Sequence, residues 1–344
     1  MPLISLINKI YIKKKFSKDY KALMKILTIQ NRKGIGDMVI FLPFIEAIAK
    51  KFNTSVSILA KENSKASQFL SDNKNISEII ILDRDNKDRN GQHDGLRGSL
   101  KLITDLKKYN FEKVFIFNSS VRYNLISKLA GIKKIYQYPL FEKKKQHIIQ
   151  AAQNFLKKQL DLNVLSSPKI SIDIKKCQIA KSKYKILDNQ TNILLGIGGS
   201  GHTKRIPSEI FLKFIKLCSI NYDCRFFLAT GEKKEEQKIL NEILQSEFRN
   251  RCVALHKLDL VDILPIVSNC KISVCNDSSF SHLSAAIGIQ TIVLMADTPM
   301  LYGSYSPNMH PIIPEGESSV THDTLGKDKI NPDKIFKKFK EILV

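Results

Sequence analysis

Short apolar runs alternate along the chain with longer segments whose apolar positions recur every three or four residues. This is the pattern of βα units that build a parallel sheet. The first strand is predicted at Lys25–Gln30 (KILTIQ), followed by a glycine turn and an apolar helix reaching Lys51. Pro43 lies inside that helix, where it removes one backbone hydrogen bond and is expected to kink it. Further strands are predicted at Ser55–Ala60, Glu78–Asp83 and Lys113–Asn118, with helices over SKASQFLSD and Leu100–Lys108. The run SVRYNLISKLAGIKKIYQY reads as a helix, a glycine cap and a short strand. Periodicity weakens between Phe141 and Asp188, which predicts a helix and a linker, and then restarts at Asn192–Gly198. Strands at Cys224–Thr230, Cys252–Leu255, Lys271–Asn276 and Thr291–Ala296 alternate with helices from there on. The last helix opens on the Asn331-Pro332 start signal.

The pattern predicts an α/β protein of two Rossmann-like, doubly wound lobes, over residues 24–165 and 189–328. A linker is expected over 166–188 and a C-terminal helix over 329–344. A ligand cleft between the lobes is expected at the carboxyl ends of the strands. The length of 344 residues suits two domains of ordinary size.

Composition adds a strong electrostatic bias. With 55 Lys+Arg against 33 Asp+Glu the formal charge is +22, which favours polyanionic partners: nucleic acid, anionic membrane or phosphorylated substrate. Part of the excess follows from a general bias toward Lys, Ile and Asn. It is steepest before Gly34, where nine Lys/Arg face one acid, Asp19. Interleaved apolar residues such as Leu3, Ile7, Ile10 and Phe16 make residues 1–23 either an amphipathic membrane-surface segment or a frayed basic leader. Lys9 interrupts the apolar part, unlike a secretory signal, and no apolar run approaches the roughly 20 residues needed to cross a bilayer. The six cysteines show neither C-x-x-C spacing nor a histidine at zinc-ligand spacing, and read as buried or incidental thiols in a reducing cytosol.

Three turns carry candidate chemistry. Gly34-Ile35-Gly36-Asp37 begins like a dinucleotide fingerprint, but Val39 occupies the place of its third glycine. Asp37 also puts a carboxylate where a pyrophosphate would bind, which disfavours NAD. Asp37 reads as a helix cap or as a general base. Gly196–Glu209 (GIGGSGHTKRIPSE) joins glycines, Ser200, Thr203, Lys204 and Arg205 at a strand end, an anion site without the Gly-Lys-Ser/Thr ending of a P-loop. Cys275–Gly288 (CNDSSFSHLSAAIG) places Asn276 and Asp277 at a strand end and opens a helix on Ser278 and Ser279, a cradle for a diphosphate. Asp277 is alternatively that helix's cap, and His282 an ordinary packed histidine.

In their order, KGIGDMVIFLPFIEAIAKKF, GHTKRIPSEIF, FFLATGEKKEE and CNDSSFSHLSAAIGIQTIVLMADT resemble glycosyltransferase family 9, the bacterial heptosyltransferases of the lipopolysaccharide inner core. The resemblance spans roughly residues 24 to 310. It implies the GT-B fold, with the acceptor on the N-terminal lobe and a nucleotide-sugar, typically ADP-heptose, on the C-terminal one. It also implies inverting transfer with no metal and no cofactor. Asp37 then matches the family's base and Lys204 its phosphate-contacting lysine, while Ser200, Thr203, Asp277, Ser278, Ser279 and His282 fall on the donor segments. Two departures stand out: Ser279 replaces the usual glycine, and Ile206 stands where a tryptophan often precedes the proline. Ser119, Ser120 and Arg122, after the fourth strand, are candidate acceptor contacts.

The implied partners are a nucleotide-sugar donor, a lipopolysaccharide-core or other lipid-linked glycan acceptor, and an anionic membrane surface on the cytoplasmic side. Ser279 motivates a second reading, a sugar-nucleotide-binding protein with impaired turnover. No motif supports specific nucleic-acid binding despite the charge.

Overall fold

The computed structural model describes residues 24–85, 90–140, 146–199 and 201–343. The basic leader and Ser200 lie outside them. In the N-terminal lobe, β1 (Ile26–Gln30), β2 (Val56–Lys61), β3 (Ile76–Leu82), β4 (Lys113–Ile116) and β5 (Lys134–Gln137) form one parallel sheet ordered β3-β2-β1-β4-β5. Alternate strand residues face opposite layers. Ile26, Val56, Ile58 and Phe115 pack with α1 (Ile35–Phe52) and α5 (Ile148–Leu160). Leu27, Ile29, Leu59 and Val114 pack instead with α3 (Gly95–Lys107) and α4 (Val121–Leu129). The helix expected over SKASQFLSD shrinks to a single turn, α2 (Ala66–Phe69). α3 begins five residues before its expected start.

The chain then crosses to the second lobe. Ile170 N–H bonds the Ala286 carbonyl at 2.8 Å, and α6 (Ile174–Lys183), within the expected linker, packs on α9 (Leu260–Val267). The C-terminal lobe holds β6 (Thr191–Gly196), α7 (Ser208–Asn221), β7 (Cys224–Ala229), α8 (Lys234–Leu244), β8 (Cys252–Ala254), β9 (Ile272–Asn276), α10 (Ser279–Ile287), β10 (Gln290–Leu294) and β11 (Met309–Ile312). Its sheet is also parallel, in the doubly wound order β11-β10-β9-β6-β7-β8. The last helix, α11 (Pro332–Leu343), packs on α7, and Asn331 Oδ1 accepts the Asp333 N–H at 2.7 Å at its start.

β11 was not expected from the pattern. It is four residues long, contains Pro311 and occupies the sheet edge, where a strand needs partners on one side only. α1 runs continuously through Pro43. All six cysteines are free. Among the described residues, no helix is long and apolar enough to cross a membrane.

The lobes meet where α1 packs on α10. α1 is apolar nearly all round because it is covered by its own sheet, by α5 and by the other lobe. One continuous apolar cluster includes Phe41 and Phe44 of α1 with Leu283 and Ala286 of α10. At its upper end Gly36 lies so near His282 that an added Cβ would stand 2.5 Å from the ring. Gly36→Ala should therefore displace His282 and lower stability by about 1–3 kcal/mol. Unchanged thermal unfolding of that variant would show that the lobes do not close at this contact.

Candidate active site

The α1–α10 contact brings two helix N-termini to one cleft of about 720 Å³. α1 contributes Gly34, Gly36 and Asp37 to its wall, and the C-terminal lobe contributes Lys204, Asp277, Ser278, Ser279 and His282. The N-cap of α1 is Gly34, so Asp37 is the third residue of the helix and not its cap. Its carboxylate instead turns back toward the Gly34 N–H, the return half of a capping box. Burial raises its pKa above the ordinary carboxylate value, while Arg32, the Gly34 N–H and Lys204 each pull it down. Arg32 Nη1 lies 3.6 Å from Asp37 Oδ1. Such a carboxylate is more basic than a free aspartate and faces open space.

Asp277 is not a cap either, because Ser278 holds that position in α10. Lys204 Nζ donates to Asp277 Oδ2 at 2.8 Å. Burial of Asp277 opposes its charge, but Lys204 and His282 outweigh burial and hold its pKa below the usual range. His282 is buried against Gly36 and Tyr305: its Nδ1 lies 2.9 Å from the Tyr305 hydroxyl, and its Nε2 lies 4.0 Å from Asp277 Oδ1. Burial lowers its pKa to about 4, so at neutral pH it is an uncharged ring packed beside Asp277.

The Ser278 hydroxyl is buried with no partner in the protein, beside the free N–H groups of the first turn of α10. A buried hydroxyl without a partner suits an anionic ligand. Ser279, the first helical residue, lines the same wall, and its φ is not positive. Serine therefore takes this backbone without strain, although the family usually places glycine there.

The glycine loop differs from the expected anion site. Glu236, a buried carboxylate of α8, accepts the Gly199 N–H at 2.7 Å. An added Cβ at Gly198 or Gly231 would come within 2.7 or 2.6 Å of the Glu236 carboxylate. These glycines thus admit an internal anion. Asn276 Nδ2 ties the loop to the end of β9 through the Ile197 carbonyl at 2.9 Å. The Thr203 hydroxyl bonds Asp297, which also accepts the Leu325 N–H at 2.9 Å, and so it braces the loop instead of facing the cleft.

The acceptor-side candidates separate. Ser119 lines a second cavity of about 620 Å³ in the N-terminal lobe, with Gln137, Tyr138 and Lys158. Ser120 is the N-cap of α4, and its carbonyl accepts from Gln137 at 2.9 Å. Arg122 turns away to donate to the His93 carbonyl. Sequence reasoning counted Arg32 only among the basic leader. It lines this second cavity and also pairs with Asp37, so it stands at the junction of the two spaces. Its spacing five residues before Asp37 offered no signal. Glu236 was equally hidden in a helix of mixed charge, though Gly198 and Gly231 mark the space it fills.

The model of glycosyltransferase family 9 (heptosyltransferase) matches residues 100–319. The chain belongs to this family. Lipopolysaccharide heptosyltransferase 1 of Campylobacter coli is 22% identical over 93% of this chain and 99% of its own. Lipooligosaccharide heptosyltransferase 2 of Campylobacter jejuni is 24% identical over 77% of this chain and 79% of its own. The glycosyltransferase family 9 structure from Veillonella parvula superposes with a TM-score of 0.74 at 19% identity, covering 93% of this chain and 97% of that one. ADP-heptose lipopolysaccharide heptosyltransferase II of E. coli gives 0.71 at 16%, covering 93% and 98%. The fold is GT-B, and the protein is a glycosyltransferase. The match to the family model begins beyond the Asp37 turn, so the reading of that turn rests on its own geometry. Among the described residues, no group of three or more His, Cys, Asp and Glu is arranged to hold a metal ion.

Lys204→Met should leave Asp277 buried without its cation, lowering stability by about 2 kcal/mol. Adding Asp277→Asn should recover part of that loss in thermal unfolding without restoring transfer. Full stability of Lys204→Met alone would mean that the ion pair is not formed.

Proposed function

We propose that this glycosyltransferase moves a heptose or related sugar from a nucleotide-sugar, ADP-heptose first, to a lipopolysaccharide core or similar lipid-linked glycan. It acts as a peripheral protein at the cytoplasmic face of the membrane. The observation that carries the reading is the placing of Asp37 on one helix N-terminus opposite Lys204, Ser278 and the N–H groups of α10 on the other. Structures of E. coli WaaC with ADP and with ADP-2-deoxy-2-fluoro heptose share the fold at TM-scores of 0.66 and 0.63 and support the choice of donor.

Asp37 takes the proton of an acceptor hydroxyl as that oxygen bonds the anomeric carbon. The bond from the anomeric carbon to the diphosphate oxygen breaks, and the nucleoside diphosphate leaves with the electron pair. One displacement from the face opposite the leaving group inverts the anomeric centre. Lys204 and the N-terminus of α10 meet the charge that develops on the leaving group, the work a divalent cation does elsewhere. For this Lys204 must exchange Asp277 for the phosphates, and Ser278 gains the partner it lacks. The backbone at Ser279 has no positive φ, so a strained turn gives no argument for an impaired enzyme. Arg32 restrains the base and points toward the cavity that suits the acceptor.

Mass spectrometry of truncated lipopolysaccharide incubated with a panel of nucleotide-sugars should show the mass gain of one sugar, unaffected by a metal chelator. Asp37→Asn should lose roughly 10²–10⁴-fold in rate while keeping its unfolding temperature. Donor binding by calorimetry with no transfer to any acceptor would overturn the reading. Because burial raises the Asp37 pKa, activity should fall as pH drops through a value above the ordinary carboxylate range. Arg32→Gln, which removes a lowering influence, should move that fall to higher pH. A limb unmoved by Arg32→Gln would remove Asp37 as the titrating base.

A further inference from the structure

We propose that the outer face of α3 and α4 is the surface by which the N-terminal lobe docks on an anionic lipid bilayer. On α4, Val121, Leu125 and Leu129 follow at intervals of four and form one stripe, 55%, 54% and 51% exposed. On the neighbouring α3, Leu96 and Leu100 are 87% and 64% exposed. The opposite sides of both helices, with Leu102, Leu106, Tyr123 and Ile126, are buried on the sheet, so the exposed leucines serve no core. Single exposed apolar residues are ordinary, but five on two adjoining helices make a patch.

Charge identifies the occupant. Arg97, Lys101, Lys107, Lys108, Lys128 and Lys133 are exposed around the patch. Between residues 95 and 134 the only acids are Asp105 and Glu112, and Asp105 is engaged by Lys101 and Lys108 at 2.9 and 2.8 Å. A leucine stripe within a cationic rim matches the interface of an anionic membrane, where apolar side chains enter the acyl boundary and lysines reach headgroup phosphates. The two helices are fastened as one platform: Arg122 of α4 donates to the carbonyl of His93, two residues before α3. The proposal deepens the reading above, on which it rests, since it names the surface by which the protein meets the membrane. It is tested without turnover, so the two can fail separately.

The test uses the full chain with vesicles of phosphatidylcholine alone or mixed with phosphatidylglycerol. Native protein should float with the anionic vesicles, more weakly as salt rises, and scarcely with the neutral ones. The combined variant Leu96→Ser, Leu125→Ser, Leu129→Ser should lose at least about tenfold in apparent affinity. The chain has no tryptophan, so Leu125→Trp supplies a single reporter in an otherwise native protein. Its emission should shift to the blue with anionic vesicles and be quenched by brominated lipid. Unchanged flotation of the serine variant, or no shift at Leu125→Trp while the protein floats, would overturn the proposal and place the contact elsewhere, residues 1–23 included. So would a concentration-dependent dimer, formed without lipid and abolished by the serine variant, which would assign the face to a second copy.

Discussion

The candidate site depends on one contact, the seating of Gly36 on His282 where α1 meets α10. A helix N-terminus offers unpaired N–H groups and a partial positive charge. Each lobe supplies one such terminus, and glycine is the only residue that allows the first turn of α1 to close onto a histidine ring. With the lobes so placed, an acid on one terminus shares a single cleft with a hydroxyl on the other and with Lys204 of the loop after β6. The histidine is the wedge. Held uncharged by burial and fixed by Tyr305, it sets the depth of closure.

The carboxylates of the site divide by environment. Asp277 has a cation in contact and stays ionised despite its burial. Asp37 has Arg32 only at a longer distance, and burial prevails. Glu236 lines the same cleft and accepts the Gly199 N–H. Three acids in one region thus differ in the partner each finds.

Much of this could be read from the chain. The alternation of apolar runs gave both doubly wound lobes, since periods of two and 3.6 residues depend on local positions alone. The turn with Asp37 and the Asp277–His282 segment stood out because glycines, hydroxyls and acids were crowded at strand ends. Other features were hidden where the deciding partner lies far along the chain. Glycines at 198 and 199 suggested an external anion, yet Glu236 fills the space. Thr203 looked like a ligand contact and braces Asp297. Asp37 and Asp277 looked like caps, but each helix begins one or more residues away, an error of the size expected where boundaries rest on hydrogen bonds. β11 was lost because a proline in four residues breaks the strand signal.

That proline has a further effect. β11 leaves one side of the C-terminal sheet open, and such an edge is a template on which a second sheet can grow. Asn308 and Ile312 carbonyls bond inward to Thr291 and Met295, so residue 311, between positions that face β10, faces out. The open edge therefore lacks a donor at its centre and presents a pyrrolidine ring in its place. A strand arriving from another molecule would lose a bond and meet a steric obstacle. This is protection against aggregation built from one residue.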